Sequence, residues 1–196
     1  LHPRVRRQRQ MCIRDRYMHP LRLFEYCPRC GSHRFQENDA SSKRCEDCGF
    51  VYYLNPKASV AAFVMDRQSR ILVCRRAFDP SKGMLDLPGG FTECGETVEE
   101  AVVRELSEEI GWKPKQMKYL CSFPNIYRYS GFDVHTMDLF FLCRSDEDMS
   151  DLKAHDDVAE CFWLRREEVE PEKFAFQSIR KAVDRLLKDD KYWVKD

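Results

Sequence analysis

The sequence predicts an α/β fold, with helices on both faces of a mixed sheet and a small cysteine-stapled unit ahead of it. Three observations lead there. Apolar runs of strand length flank a capped amphipathic helix, a second helical period lies near the end of the chain, and two CxxC pairs stand together before the first run. Strands that are apolar on both faces need helices on each side, which gives an α/β/α sandwich.

Composition narrows the function classes. The 196 residues carry 33 basic and 33 acidic side chains, a formal net charge of zero, which removes any overall electrostatic case for nucleic acid. No apolar run is long enough to span a bilayer or follows the pattern of a secretory signal, so a cytoplasmic protein without membrane attachment is expected.

Residues 1–17, LHPRVRRQRQMCIRDRY, are basic and lack a hydrophobic period. The hexapeptide from Met11 to Arg16 resembles the translated end of a transposon used in sequencing libraries. The segment is therefore expected to be a non-native leader, with Met18 as the natural start. The biological alternative is a basic arm for nucleic acid or membrane.

Residues 18–54 hold Cys27 and Cys30, then Cys45 and Cys48, with fourteen residues between the pairs and a glycine after each, Gly31 and Gly49. Two such knuckles describe a zinc ribbon, whose four thiolates close a tetrahedral Zn²⁺ site with no open position; the metal is structural. It contributes folding free energy to a segment too short to build its own core. A redox centre needs one CxxC, whereas two are present. Of the remaining cysteines, most of Cys74, Cys94, Cys121, Cys143 and Cys161 are expected to be small buried hydrophobes.

Residues 55–196 form the second domain. After a linker at 54–57, strands are expected at 58–65 and 71–76 around a turn at 66–70. Residues 85–87 lead into Pro88, Gly89 and Gly90, where glycines allow close backbone approach to a ligand. Further strands are expected at 117–122, 135–143 and 161–164, and a helix over 177–187 from Ile179, Val183, Leu186 and Leu187.

Between these lies the densest chemistry. Thr97 with Glu100 makes a capping box, Gly111 is a natural helix terminator, and Pro114 prevents continuation. At about 100° per residue, Glu105, Glu108 and Glu109 share one face, beside an apolar stripe of Val102, Val103, Leu106 and Ile110. The stripe is expected to be buried and the acidic face open. Like charges at these spacings repel by a few tenths of a kcal/mol per pair, and a divalent cation reverses that sign. Oxygen-only ligands suit Mg²⁺ or Mn²⁺. Glutamates alone on a helix face are usually just solvated, but these follow Gly90, Glu96 and Arg104.

That pattern, Gly90, Glu96, Arg104-Glu105-Leu106, Glu108-Glu109 and Gly111-Trp112 over 23 residues, resembles the Nudix box at every fixed position. The resemblance implies a Nudix hydrolase, with the Nudix α/β/α sandwich, cleaving the diphosphate bond of a nucleoside diphosphate linked to another group. It implies Glu105 and Glu109 as principal metal ligands, Glu108 as a further ligand, the Gly89 carbonyl as a backbone ligand and Arg104 as the group that pins the carboxylates. Glu96 and Gly111 are then structural. Asp157, with Asp156 as the fallback, is expected to supply an extra carboxylate as ligand or base. His135 and His155 are expected to be polar scaffolding.

A zinc ribbon before a Nudix domain is similar to the NADH pyrophosphatase branch, which splits NADH or NAD into NMN(H) and AMP and in some members removes NAD caps from RNA. Gly90 and Phe91 would then contact substrate, Phe91 by stacking a base. The branch's SQPWPFP run is absent: residues 121–127 read CSFPNIY, keeping Ser122 and Pro124. Tyr127, Tyr129 and Phe132 are candidates for a different stacking wall or for core. Alternatives are an NTP or ADP-ribose-type pyrophosphohydrolase and, from another class, an RNA-binding or regulatory module with a ligand-sensing Nudix domain. The partners implied are a small-molecule nucleotide, a second copy of the chain as in zinc-ribbon relatives, and RNA only as an NAD-capped substrate.

Overall fold

The structure is a computed structural model that describes residues 19–147, 149 and 158–193. The chain divides between Leu54 and Asn55 into two compact units.

The first unit is a three-stranded antiparallel sheet of β1 (Phe35–Asp39), β2 (Ser42–Cys45) and β3 (Val51–Tyr53). Its core is small: Cys27, Phe35 and Cys45 are buried, with Cys48, Phe50 and Tyr52 packed against them. Each CxxC folds into a tight turn, closed by the Gly31 N–H on the Cys27 carbonyl and the Gly49 N–H on that of Cys45.

The second unit is a six-stranded mixed sheet between two helices. Its strands are β4 (Lys57–Met65), β5 (Ile71–Arg76), β6 (Leu85–Asp86), β7 (Met117–Tyr129), β8 (Phe132–Arg144) and β9 (Val158–Leu164). They run β6-β5-β4-β8-β7, with β9 also on β5; β4 and β8 are parallel and the other pairs antiparallel. Alternation along β4 sends Val60, Ala62 and Val64 to one core and Ala61, Phe63 and Met65 to the other. Helix α1 (Val98–Ile110) covers the first core, and α2 (Gln177–Leu187) covers the second.

The hairpin β7–β8 is longer than expected. Tyr129 pairs with Phe132 across a two-residue turn in which Ser130 (φ 50°) and Gly131 (φ 75°) are both left-handed, the conformation that matches strand twist in tight hairpins. Pro124 lies inside β7, which is tolerated because β7 is an end strand of the sheet. Of the five cysteines outside the ribbon pairs named above, Cys74, Cys121 and Cys143 are buried, Cys161 is half-buried and Cys94 is exposed.

A polar node ties the second core together. Asp138, buried on β8, accepts from Ser59 Oγ on β4 (2.5 Å), Thr136 Oγ1 (2.6 Å) and Ser178 Oγ in the first turn of α2 (2.5 Å). Helix α2 has no side-chain cap at Phe176 and no acidic residue in its first turn, so Asp138 supplies from another strand the negative charge its N-terminus favours. Removing that carboxylate orphans three hydroxyls. Asp138→Ala is expected to destabilise this unit by about 3 kcal/mol. The urea midpoint followed by tryptophan fluorescence checks this, because Trp112, Trp163 and Trp193 all lie in the second unit.

Candidate active site

The site begins where β5 parts from β4. Those strands pair only at Met65 and Ile71, and the free edge of β4 is taken by the loop before α1. Val60 N–H donates to the Gly90 carbonyl (2.8 Å), Ala62 N–H to that of Pro88 (2.9 Å), and Thr92 N–H to that of Ala58 (3.1 Å). A backbone lying this close to a strand leaves no room for side chains. A Cβ on Gly89, whose φ is +145°, would stand 2.1 Å from the Val60 carbonyl oxygen, and one on Gly90 would stand 2.5 Å from Glu105 Oε1.

Helix α1 carries the carboxylates. Thr97 and Glu100 form the reciprocal capping box, and Gly111 ends the helix at φ 67°. The buried positions are Ala101, Val102, Leu106 and Ile110. Val103, expected in that stripe, is only half-buried and borders a surface depression beside Glu99 and Glu100. The buried arc is centred between Val102 and Glu109, so Val103 falls just outside it and Ala101 inside. The acidic face is therefore not uniformly open. Glu105 and Glu109 lie within the packed arc, half-buried, and Glu108 alone of the three is exposed.

Arg104 organises this charge. Its guanidinium donates to Glu96 (2.7 and 3.1 Å), Glu105 (2.9 Å), Glu108 (3.1 Å) and the Phe91 carbonyl (3.0 Å), joining helix to loop. Glu96 also accepts from the Glu93 N–H, and its carboxyl is held below the usual range, chiefly by Arg104. Burial pushes Glu105 up, with Arg104 opposing. Glu109 is pushed up to about 9, mainly by burial and against the one hydrogen bond from the Gly89 N–H (2.9 Å). Arg104 thus relieves its near neighbours, and no cation among the described residues forms an ion pair with Glu109.

Glu105, Glu109, Arg104, Gly89, Gly90 and Phe91 line a cavity of about 1050 Å³, a volume that suits a nucleotide-sized ligand. Phe91 meets Tyr127 edge-on at 5.6 Å, Tyr127 lies 6.4 Å from Tyr129 and 5.5 Å from Phe176, and Tyr127 and Tyr129 line the same cavity. Phe132 is not among the lining residues, and Glu108 lies outside the cavity. Asp156, Asp157 and His155 lie outside the described residues. Sequence reading missed Ser59, Thr136 and Asp138, which also line the cavity. It also missed the Arg76–Asp86 ion pair at 2.6 Å, whose carboxyl is pushed up by burial.

In the first unit, the Sγ atoms of Cys27, Cys30, Cys45 and Cys48 all lie within 4.8 Å of one another. Cys27 and Cys48 are 3.7 Å apart and Cys30 and Cys45 3.6 Å. A tetrahedron with Zn–S bonds of about 2.3 Å has edges of about 3.8 Å, so these thiols fit zinc. Among the described residues this is the one cluster gathered so tightly; the box carboxylates, three of them drawn to Arg104, are more spread.

Fold and site define the class: an α/β/α sandwich that sets an acidic helix against a glycine loop at a large cavity. Residues 55–186 match the NUDIX domain, and the chain belongs to the NUDIX family. It is 41% identical over 110 residues to an ADP-ribose pyrophosphatase of Methanocaldococcus jannaschii, covering 55% of this chain and 61% of that protein. It is 26% identical over 174 residues to the NAD-capped RNA hydrolase NudC of Vibrio parahaemolyticus, covering 88% of this chain and 63% of that protein. The chain thus spans less than two thirds of the length of either relative. A NUDIX hydrolase from Nitrosomonas europaea shares the fold, at TM-score 0.62 and 23% identity, with 86% of this chain and 93% of that one covered. No described helix is long and apolar enough to cross a membrane.

The two glycines are expected to differ on substitution. Gly89→Ala forces backbone against backbone and should lower Tm by about 5 °C or more, whereas Gly90→Ala meets only the end of a flexible side chain and should shift it by about 2 °C or less. Thermal unfolding followed by tryptophan fluorescence distinguishes the two.

Proposed function

We propose that the chain is a divalent-metal-dependent pyrophosphohydrolase of nucleoside diphosphates linked to a second group, with ADP-ribose and NAD(H) as the leading substrates. The observation that carries this reading is Glu109, a desolvated carboxyl group that lines the cavity beside Glu105 with no cation paired to it among the described residues. The names of the relatives, an ADP-ribose pyrophosphatase and an NAD-capped RNA hydrolase, support the same substrate class.

Glu105 and Glu109 would hold Mg²⁺ or Mn²⁺, with Glu108 and the Gly89 carbonyl as further ligands and Asp157 as an additional ligand or base. The oxygen-only donor set and the burial of Glu109 fit a hard divalent ion. When bound, such an ion supplies positive charge against the diphosphate and makes water a better nucleophile. The chain's own residues do the positioning. Arg104 cannot accept a hydrogen bond; its donors fix Glu105 and Glu108 and, through the Phe91 carbonyl, the loop that carries Gly90. Phe91 and Tyr127 offer rings to a base.

In the first unit, Zn²⁺ held by Cys27, Cys30, Cys45 and Cys48 would tie together a small core to which two of those ligands, Cys27 and Cys45, themselves belong. Nine free cysteines among the described residues suit a reducing, cytoplasmic setting. A homodimer belongs to this reading through its likeness to zinc-ribbon relatives.

Glu109→Gln keeps the shape of the side chain and an acceptor for the Gly89 N–H, so Tm should hold. It cannot ionise to the carboxylate that a divalent ion requires, so kcat for AMP release from ADP-ribose or NADH with Mg²⁺ or Mn²⁺ should fall by about 100-fold or more. Turnover retained in that variant would remove these carboxylates from the reaction. For the ribbon, stoichiometric zinc by atomic absorption is expected in the wild type and its loss in Cys45→Ser, together with rapid proteolysis of residues 19–54.

A further inference from the structure

The cavity has a second polar region, on the floor formed by β4 and β8. Ser59 and Asp138 are partners in the parallel register of these strands, Thr136 lies two residues before Asp138, and all three line the cavity. Both hydroxyls donate their single proton to Asp138 Oδ1. A hydroxyl that has spent its proton keeps only lone pairs. These three groups can therefore accept hydrogen bonds from a ligand and cannot donate to one. Asn125, opposite Thr136 in the β7–β8 register, and Tyr127 both line the cavity and can do either, while Lys57, opposite Thr136 in the β4–β8 register, is a donor already engaged by the Thr92 carbonyl.

The floor lies beside the aromatic wall. Tyr127 follows Asn125 on the same face of β7, about 7 Å further along. Phe91, edge-on to Tyr127, forms an isolated antiparallel bridge with Ser59. A planar group packed on these rings would turn an edge toward Ser59, Thr136 and Asp138.

We infer that this floor is a specificity element selecting a base that presents N–H donors, such as an exocyclic amino or a carboxamide, over one with a keto oxygen or carboxylate at the same edge. It rests on the diphosphate-hydrolase reading and adds to it the discriminating residues. Acceptors fixed in a desolvated site penalise a ligand that brings another acceptor, because both are left unpaired. The node also joins β4, β8 and α2, and a purely architectural role predicts no base preference.

The test uses the full chain with Mg²⁺ and two substrate pairs. ADP-ribose against its hypoxanthine counterpart exchanges an amino for a keto group, and NAD against nicotinic acid adenine dinucleotide exchanges a carboxamide for a carboxylate. At least one pair should split by about tenfold or more in kcat/KM, mainly through KM, in favour of the donor; which pair splits says which base reaches the floor. Thr136→Val and Ser59→Ala, each confirmed folded by tryptophan fluorescence, should reduce that ratio to about twofold, as should Asp138→Asn if it folds. Titration calorimetry of the same four compounds reads the preference without turnover, so a catalytic failure is separable from a failure of the floor. Equal handling of both pairs in kinetics and binding overturns the inference, as does a split unchanged in Thr136→Val and Ser59→Ala.

Discussion

The site depends on a strand edge that is filled by a loop. β5 leaves β4 almost at once to pair with β6 and β9, which exposes backbone groups of β4 near residues 58–62. An open edge in the middle of a sheet must be satisfied, and residues 88–92 do so with their own backbone. With the carbonyls of Pro88 and Gly90 committed to β4, Gly89 between them turns its N–H to Glu109. Arg104 clamps the same loop from the helix side at the Phe91 carbonyl. Loop, strand and acidic helix are thereby fixed together.

The helix concentrates charge in an unfavourable way. Acidic residues fill its first turn, which suits the dipole, but none of its last-turn residues is basic and Glu108 and Glu109 lie there. Arg104 offsets the repulsion for Glu96, Glu105 and Glu108. Glu109 is left with burial and neighbouring negative charge, and its carboxyl rises to about 9. A side chain placed so poorly for stability is typical of a position held for function.

Local signals were legible in the sequence, and long-range ones were not. The capping box and Gly111 specified α1 to within a residue, and the apolar period of 177–187 matched α2. Apolar runs at 58–65 and 135–143 marked central strands, because residues alternating between two cores leave no polar face. The extent of β7 was missed because Pro124 argues against a strand interior, yet Ser130-Gly131 was a readable signal for a two-residue hairpin. The floor of the cavity carried no such signal. Ser59 and Asp138 meet only through a parallel pairing 79 residues apart, and nothing local in either strand announces it. Periodicity also placed all three box glutamates on one open face, because it gives the angle between residues and not where the packing arc is centred.

The charge inventory of the cavity explains why a metal belongs to the functional reading. Among the described residues four cations line it, and each is already engaged: Lys57 with the Thr92 carbonyl, Arg75 with Glu160 and the Gly83 carbonyl, Arg76 with Asp86 and the Pro80 carbonyl, and Arg104 with its glutamates. Arg76 also lies over the Phe176 ring, 4.9 Å from its centroid. A diphosphate entering this space would meet Glu105, Glu109, Asp86 and Asp138 as well. Drawing any of the four cations to the phosphates would strip a carboxylate or carbonyl of its partner, so the protein alone gains little by binding the anion. Positive charge brought in by a divalent ion neutralises the carboxylates and the phosphates together without breaking those pairs. On the proposed reading, one added ion would make the acidic helix and an anionic substrate compatible in this cavity.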